Sequence, residues 1–184
     1  MVLLESQVKL KAGDKAPDFE LLGIDEKKHT LAEYQQKDGF LVIFMCNHCP
    51  YVKAKFDAFN ELQTKFGDKI AIIGINSNDS TDYPEDSFEN MKKTADERGI
   101  KFDYLWDETQ QIAKKYGAMC TPDPFLFNKD GNLVFHGRID NAMKPDDVAT
   151  EKTMINNIEK MLSNQKIEKD FDPSIGCSIK WKEN

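Results

Sequence analysis

Two cysteines separated by two residues, Cys46-Asn47-His48-Cys49, stand at the end of the apolar run Val42-Ile43-Phe44-Met45 and directly before Pro50. Thiols at this spacing can close reversibly into a small disulfide ring, and the thiolate is the form that reacts. An apolar run that gives way here to helical spacing reads as a buried strand delivering the pair to the first turn of a helix. Unpaired backbone N–H groups and a partial positive charge at that turn favour an anion. Pro50 suits the turn, because the N–H it lacks would have had no partner. His48 can add charge stabilisation when protonated, and Lys53 and Lys55 add positive potential nearby, so a depressed thiol pKa is expected. On this reading Cys46, the outer cysteine, attacks a substrate disulfide and Cys49 resolves the mixed disulfide. A lone C-x-x-C can also be half of a zinc site. No second Cys or His pair with fitting spacing follows, and Cys120, Cys177, His29 and His136 are single and scattered, so no metal is expected.

The surrounding pattern must hold the pair in place. Residues 1–13 alternate weakly, as an edge strand or arm, and Gly13 to Asp18 is turn chemistry leading into a short strand at Phe19-Glu20-Leu21-Leu22. A return strand is expected at His29-Thr30-Leu31, a helical turn at Ala32 to Lys37, and a central strand at Phe40 to Met45, apolar enough to be covered on both faces. From Pro50 the apolar residues Tyr51, Val52, Phe56, Phe59, Leu62 and Phe66 keep helical spacing until Gly67, which predicts one helix. Ile70 to Ile75 reads as a second buried strand and Asn76 to Asp82 as a polar loop. Asp86 or Ser87 can cap a helix running to about Arg98, and Phe102 to Trp106 is a short strand. Asp107 caps a helix over Glu108 to Tyr116. Phe125-Leu126-Phe127 and Leu133-Val134-Phe135 flank Asn128 to Asn132 as a hairpin, and Pro145-Asp146-Asp147 opens a last helix. This order predicts an α/β fold, a central mixed sheet with helices on both faces and an N-terminal strand extension. The dithiol falls at the carboxyl end of a central strand, the edge where open α/β sheets place their sites.

The 184 residues suit one domain, 1–184, with a C-terminal tail over 164–184 packing on it. Hydrophobic content of 40% and charged content of 31% belong to an ordinary globular protein. A formal net charge of -7 argues against nucleic acid or an anionic membrane surface as the main partner. No apolar stretch approaches a membrane span, and the N-terminal residues lack signal-peptide organisation, which reads as cytoplasmic. Four cysteines are too few for a disulfide scaffold.

With the dithiol placed, the chain resembles the thioredoxin superfamily, and most closely its peroxiredoxin-like (AhpC/TSA-type) branch, over about residues 12–162. Gly13-Asp14-Lys15-Ala16-Pro17-Asp18-Phe19 resembles the entry segment shared by peroxiredoxins and the TlpA/ResA-type thioredoxins. Cys46-Asn47-His48-Cys49 sits where thioredoxins carry their C-x-x-C, and His48 resembles the histidine in the oxidising dithiol of DsbA. Gly117-Ala118-Met119-Cys120-Thr121-Pro122 is similar to the segment carrying the family's cis-proline. The resemblance implies a thioredoxin-like fold in which Thr121 and Pro122 face the dithiol and bind substrate backbone. It also implies a thiol–disulfide oxidoreductase that needs no cofactor. Its partners would be a protein or small-molecule disulfide and a thiol reductant such as a thioredoxin system.

Departures bear on activity. Aligning Cys49-Pro50 with the peroxiredoxin Cys-Pro puts Val42 at that family's proline and Cys46 at its Thr/Ser, and the usual activating arginine is absent near Cys120. A dithiol oxidoreductase is therefore favoured over a thiol peroxidase, although peroxide can oxidise a low-pKa thiolate. The third reading is a non-catalytic thioredoxin-fold binding protein. Neither reading indicates an oligomeric state.

Three accessory candidates remain. Cys120 is a third redox partner or a small buried residue. Cys177 resolves a disulfide from a distance or packs as a tail staple with Ile179 and Trp181, the latter favoured. Arg138 attracts an anionic substrate or the thiolate, or forms a surface ion pair with Asp140, again the latter favoured. The loop from Asn76 to Asp86 is expected to be solvated, although it could line a substrate groove.

Overall fold

A computed structural model describes residues 2–183. The strands are β1 (Leu3–Glu5), β2 (Glu20–Gly23), β3 (Lys28–Thr30), β4 (Gly39–Phe44), β5 (Ala71–Asn76), β6 (Asp103–Trp106), β7 (Cys120–Thr121), β8 (Asp123–Asn128), β9 (Leu133–Gly137), β10 (Phe171–Asp172) and β11 (Ile175–Ser178). The helices are α1 (Leu31–Tyr34), α2 (Pro50–Lys53), α3 (Phe56–Phe66), α4 (Phe88–Arg98), α5 (Gln111–Tyr116) and α6 (Thr153–Leu162). Eight strands form a mixed sheet in the order β10-β9-β8-β4-β5-β6-β2-β3, and three others a small sheet in the order β1-β11-β7.

β4 is buried along its whole length, and its pleat alternates between two cores. Leu41 and Ile43 enter one with Phe59, Leu62 and Ile158, while Phe40, Val42 and Phe44 enter the other with Ile73, Tyr116 and Phe125. That is the mixed α/β arrangement expected from the order of elements, and the thioredoxin-like fold that the resemblance implied. Register places the site. β4 runs parallel to β5 and antiparallel to β8, with Phe44 opposite Asp123. The residues just past the end of β4 are thereby set beside those just before β8, namely Cys46 beside Thr121 and Pro122.

Several expectations need correction. The helix from Pro50 is two helices. Lys55 N donates to Val52 O at 2.8 Å, one residue tighter than helical, and α3 restarts from Lys55 as Phe59 N donates to Lys55 O. The helix after Asp107 begins at Gln111, because Gln110 takes a left-handed conformation while the Asp107 carboxylate accepts from Ile112 N and Ala113 N. The last helix begins at Thr153, not at Pro145; the preceding turn is held by Asn141 Oδ1, which accepts from Thr150 N and Glu151 N. The loop after β5 is solvated only over Thr81 to Glu85. Asn76, Ser77, Asn78, Asp79 and Asp86 are buried. The N-terminal strand joins the tail, β1 on β11, rather than the main sheet.

The Phe40 ring stacks on Phe127 at 4.9 Å and is fully buried. Phe40→Ala should cost about 3–5 kcal/mol through lost transfer energy and the cavity left behind. Denaturant unfolding should show a lower midpoint at unchanged slope.

Candidate active site

Cys46 lies two residues past the end of β4, and Cys49 is the residue on which α2 starts, with Pro50 at its first position. The Thr121–Pro122 peptide is cis. Thr121 touches both sulfurs: its Oγ1 lies 3.4 Å from Cys46 Sγ, and its carbonyl oxygen lies 3.3 Å from Cys49 Sγ. The cis-proline segment therefore faces the dithiol, as the resemblance implied. A third sulfur completes the group. β11 pairs antiparallel with β7, placing Cys177 opposite Thr121, and the Cys177 thiol hydrogen-bonds Cys49. Cys49 thus has Cys46 on one side and Cys177 on the other. None of the cysteines is in a disulfide.

The dithiol is not presented to water as expected, since Cys46, Cys49 and Cys177 each have 0% exposure. The cover is the tail strand. A Cβ on Gly176 would stand 2.0 Å from the Thr121 carbonyl oxygen, so only glycine lets β11 lie flush against this backbone. The bond from Cys177 to Cys49 favours the distant-thiol role over the simple staple for Cys177. Ile179 is buried, whereas Trp181 stays partly exposed.

The three thiols differ in how readily they ionise. Hydrogen bonds from the Cys177 and Cys46 thiols hold the Cys49 thiol well below its ordinary pKa, with the backbone at Val52 and Cys177 assisting against the cost of burial. Burial pushes Cys46 well above its ordinary value, helped by the bond to Cys49 and the nearby Asp86 charge. Cys177 is raised by its bond to Cys49 and by burial. Of the three sulfurs, the central one is favoured to ionise first. Burial pushes Cys120 far up too, and its thiol donates to Pro122 O at 3.9 Å, which fits a packed small residue.

Beneath the dithiol lies a residue that sequence reasoning missed as part of the site. Asp86 is fully buried, and its Oδ1 accepts from Asn47 N at 2.7 Å and His48 N at 3.2 Å. Its Oδ2 accepts from His48 Nδ1 at 2.6 Å and Asn78 Nδ2 at 2.7 Å. One carboxylate thereby fixes the backbone between the cysteines and the His48 ring, which also stacks on Tyr83 at 5.6 Å. Ligand atoms of Cys46, His48 and Asp86 lie within 4.8 Å of one another. Because both Asp86 oxygens already accept two N–H groups each, this cluster does not fit a metal site. A second buried pair, His136 Nε2 and Asp123 Oδ1 at 2.7 Å, stands behind Pro122 and was also missed. Burial holds the Asp123 carboxyl above its ordinary range.

Arg138 and Lys55 are committed elsewhere. Arg138 pairs with Asp172 at 2.7 Å rather than with Asp140, because β10 lies alongside β9 and brings Asp172 opposite Gly137. Asp140 is taken by Lys55 at 2.5 Å, which removes Lys55 as free positive potential.

The AhpC/TSA family model matches residues 12–136. The chain belongs to the AhpC/TSA family. It is a redoxin of the thioredoxin superfamily. Among its relatives, the thiol-disulfide oxidoreductase ResA of Bacillus thuringiensis (strain Al Hakam) is 32% identical over 127 residues, covering 68% of this chain and 69% of that one. A conserved protein of solved structure from Geobacillus kaustophilus is 37% identical with a TM-score of 0.94, covering 100% of this chain and 98% of that one. A hypothetical protein from Sinorhizobium meliloti, also of solved structure, is 34% identical with a TM-score of 0.92, covering 98% and 99%.

The hydrogen bond to Asp86 raises the His48 pKa above its ordinary 6.5. A raised histidine stabilises the fold fully below that ordinary value, and the contribution is lost as pH rises through the folded value. Asp86→Asn should therefore lower the His48 titration midpoint, read from its ring protons by NMR. Its stability deficit relative to wild type should be larger below the ordinary histidine pKa than above the raised one. An unmoved midpoint would contradict the pairing.

Proposed function

We propose that the protein is a thiol–disulfide oxidoreductase working through Cys46 and Cys49, with Cys49 as the attacking thiolate. The observation that carries this reading is the placement of Cys49 at a helix start, bonded to a second thiol and 3.3 Å from the backbone of the cis-proline segment. The oxidoreductase names of the curated relatives agree with it.

The chemistry balances as two exchanges. The Cys49 thiolate attacks one sulfur of a substrate disulfide; that bond breaks, the mixed disulfide forms, and the other sulfur leaves as a thiolate. Cys46 then gives up its proton and attacks Cys49 Sγ, releasing the second substrate thiolate and leaving a Cys46–Cys49 disulfide. Two electrons pass to the substrate, and a thiol reductant, such as a thioredoxin system, restores the dithiol. Thr121 and Pro122 offer backbone to an extended substrate segment, while His48, held by Asp86, sets the charge beside the sulfurs and so the potential. The substrate is a protein or small-molecule disulfide. Exchange is preferred to peroxide reduction because Val42 and Cys46 occupy the peroxide-activating positions and the Arg138 guanidinium is held by Asp172.

Reduction of a model protein disulfide tests the assignment. Cys49→Ser should fall to the uncatalysed rate. Because Cys177 also bonds Cys49, the trap is Cys46→Ser combined with Cys177→Ser, which should accumulate a mixed disulfide on Cys49. Adducts accumulating on Cys46 in Cys49→Ser would overturn the order of attack. Full turnover in Cys46→Ser/Cys49→Ser would overturn the reading itself.

A further inference from the structure

An extended polypeptide seeking the edge of Cys120–Thr121 finds it taken. β11 pairs there with Cys177 opposite Thr121 and Ser178 opposite Cys120, and it is held on its other side by β1, with Leu3 opposite Cys177. Gly176 removes the side chain that would keep the strand away from the Thr121 carbonyl. The result places a cysteine sulfur against Cys49, where an incoming disulfide would have to lie.

The flanks of the strand are seated by polar bonds. Before it, Ser6 N donates to Ser174 O at 3.0 Å and Ser174 N donates to Ser6 Oγ at 2.9 Å. After it, Lys180 N donates to Asn78 Oδ1 at 2.9 Å, while Lys180 O accepts from Asp79 N at 2.8 Å and Gln110 Nε2 at 2.7 Å. Asn78 is the residue whose amide also donates to Asp86. The tail and the dithiol loop therefore lean on the same side chain. Beside the strand a cleft opens between Tyr51, Lys55, Pro122 and Ile175, leading to the cis-proline.

We propose that the strand Ile175–Ser178 is a built-in occupant of the substrate groove and that Cys177 exchanges disulfides with Cys49, so that one redox state of the three thiols pins the tail over the site. This rests on the thiol–disulfide reading of Cys46 and Cys49. Starting from the Cys46–Cys49 disulfide formed by a substrate disulfide, the Cys177 thiol gives up its proton and attacks Cys49 Sγ. The bond from Cys46 to Cys49 breaks, the bond from Cys49 to Cys177 forms, and Cys46 leaves as the thiolate that takes up a proton. No electrons enter or leave, so the step needs no further oxidant. With Cys49–Cys177 closed, β11 is covalently fixed and the groove is shut. Attack by Cys46 on Cys49 Sγ reverses the step, frees Cys177 and lets β11 detach, which exposes the backbone edge of β7 to an external chain. Because Cys49 is completely covered while β11 is in place, external substrates reach it only in that detached state.

The test uses the full chain, oxidised with one equivalent of oxidised glutathione, quenched in acid, alkylated and mapped by peptide mass. Wild type should yield both Cys46–Cys49 and Cys49–Cys177 disulfides, and Cys177→Ser only the first. Cys46–Cys49 without any Cys49–Cys177 would overturn this inference and leave the proposed function standing, whereas neither disulfide, and no glutathione adduct on Cys49, would overturn both. A second variant reads the cover directly. Gly176→Leu cannot seat against Thr121, so iodoacetamide should alkylate its Cys49 at least about tenfold faster than in wild type. An unchanged rate would overturn the built-in occupant, and so would a wild-type Cys49 that alkylates as fast as a free thiolate.

Discussion

The close grouping of three buried sulfurs, Cys46, Cys49 and Cys177, is the constraint on which the site depends. A thiolate removed from water is costly unless hydrogen-bond donors replace the solvent. Here the donors are the thiols of Cys46 and Cys177 and the backbone near the start of α2. The arrangement concentrates reactivity on the central sulfur and withholds it from the outer two, whose own ionisation would place like charges side by side. Reactivity and cover are therefore one feature, since Cys177 both supports the charge and belongs to the strand that hides it.

The rest of the fold holds that group in register. β4, buried on both faces, fixes where Cys46 emerges, and its antiparallel pairing with β8 fixes where Thr121 and Pro122 arrive. The position of Cys49 is set by Asp86, which binds two successive N–H groups between the cysteines and the His48 ring. Asp86 is in turn held by Asn78, and Asn78 by the tail at Lys180. A movement of the tail is thus mechanically connected to the loop that carries the dithiol, through a carboxylate whose lone pairs are already occupied.

Much of this was legible in the amino-acid order. The apolar run of β4, the C-x-x-C at its end, the hairpin of β8 and β9 and the segment ending in Pro122 each carry local signals: strand-length hydrophobicity, a proline at a helix start, Asp130-Gly131 at a turn. What local signals could not give is a contact made across the fold. Asp86 lies in a stretch so polar that solvation was the natural reading, and its burial follows only from partners 39 and 38 residues away, Asn47 and His48, and from Asn78 and Asn76. Polar side chains can be buried when their donors and acceptors are met, and composition does not show when that happens. Cys177 is the same case over a longer distance, because pairing of the tail with the cis-proline segment has no local signature. The Gly just before Cys177 was the available clue, a residue type that permits backbone-to-backbone approach. The expectation that Cys46 attacks treated the dithiol as the whole sulfur group; the third sulfur, bonded to Cys49, is what favours Cys49 in the proposed mechanism.

The most direct test of the central claim is a pH titration of thiolate ultraviolet absorbance in the reduced wild-type chain and in the Cys46→Ser, Cys49→Ser and Cys177→Ser variants. The account predicts one thiolate already ionised at neutral pH in wild type, abolished in Cys49→Ser and shifted to a higher midpoint when either neighbouring thiol is removed. A neutral-pH thiolate that survives Cys49→Ser and disappears in Cys46→Ser, or the absence of any thiolate until the ordinary cysteine range, would contradict it.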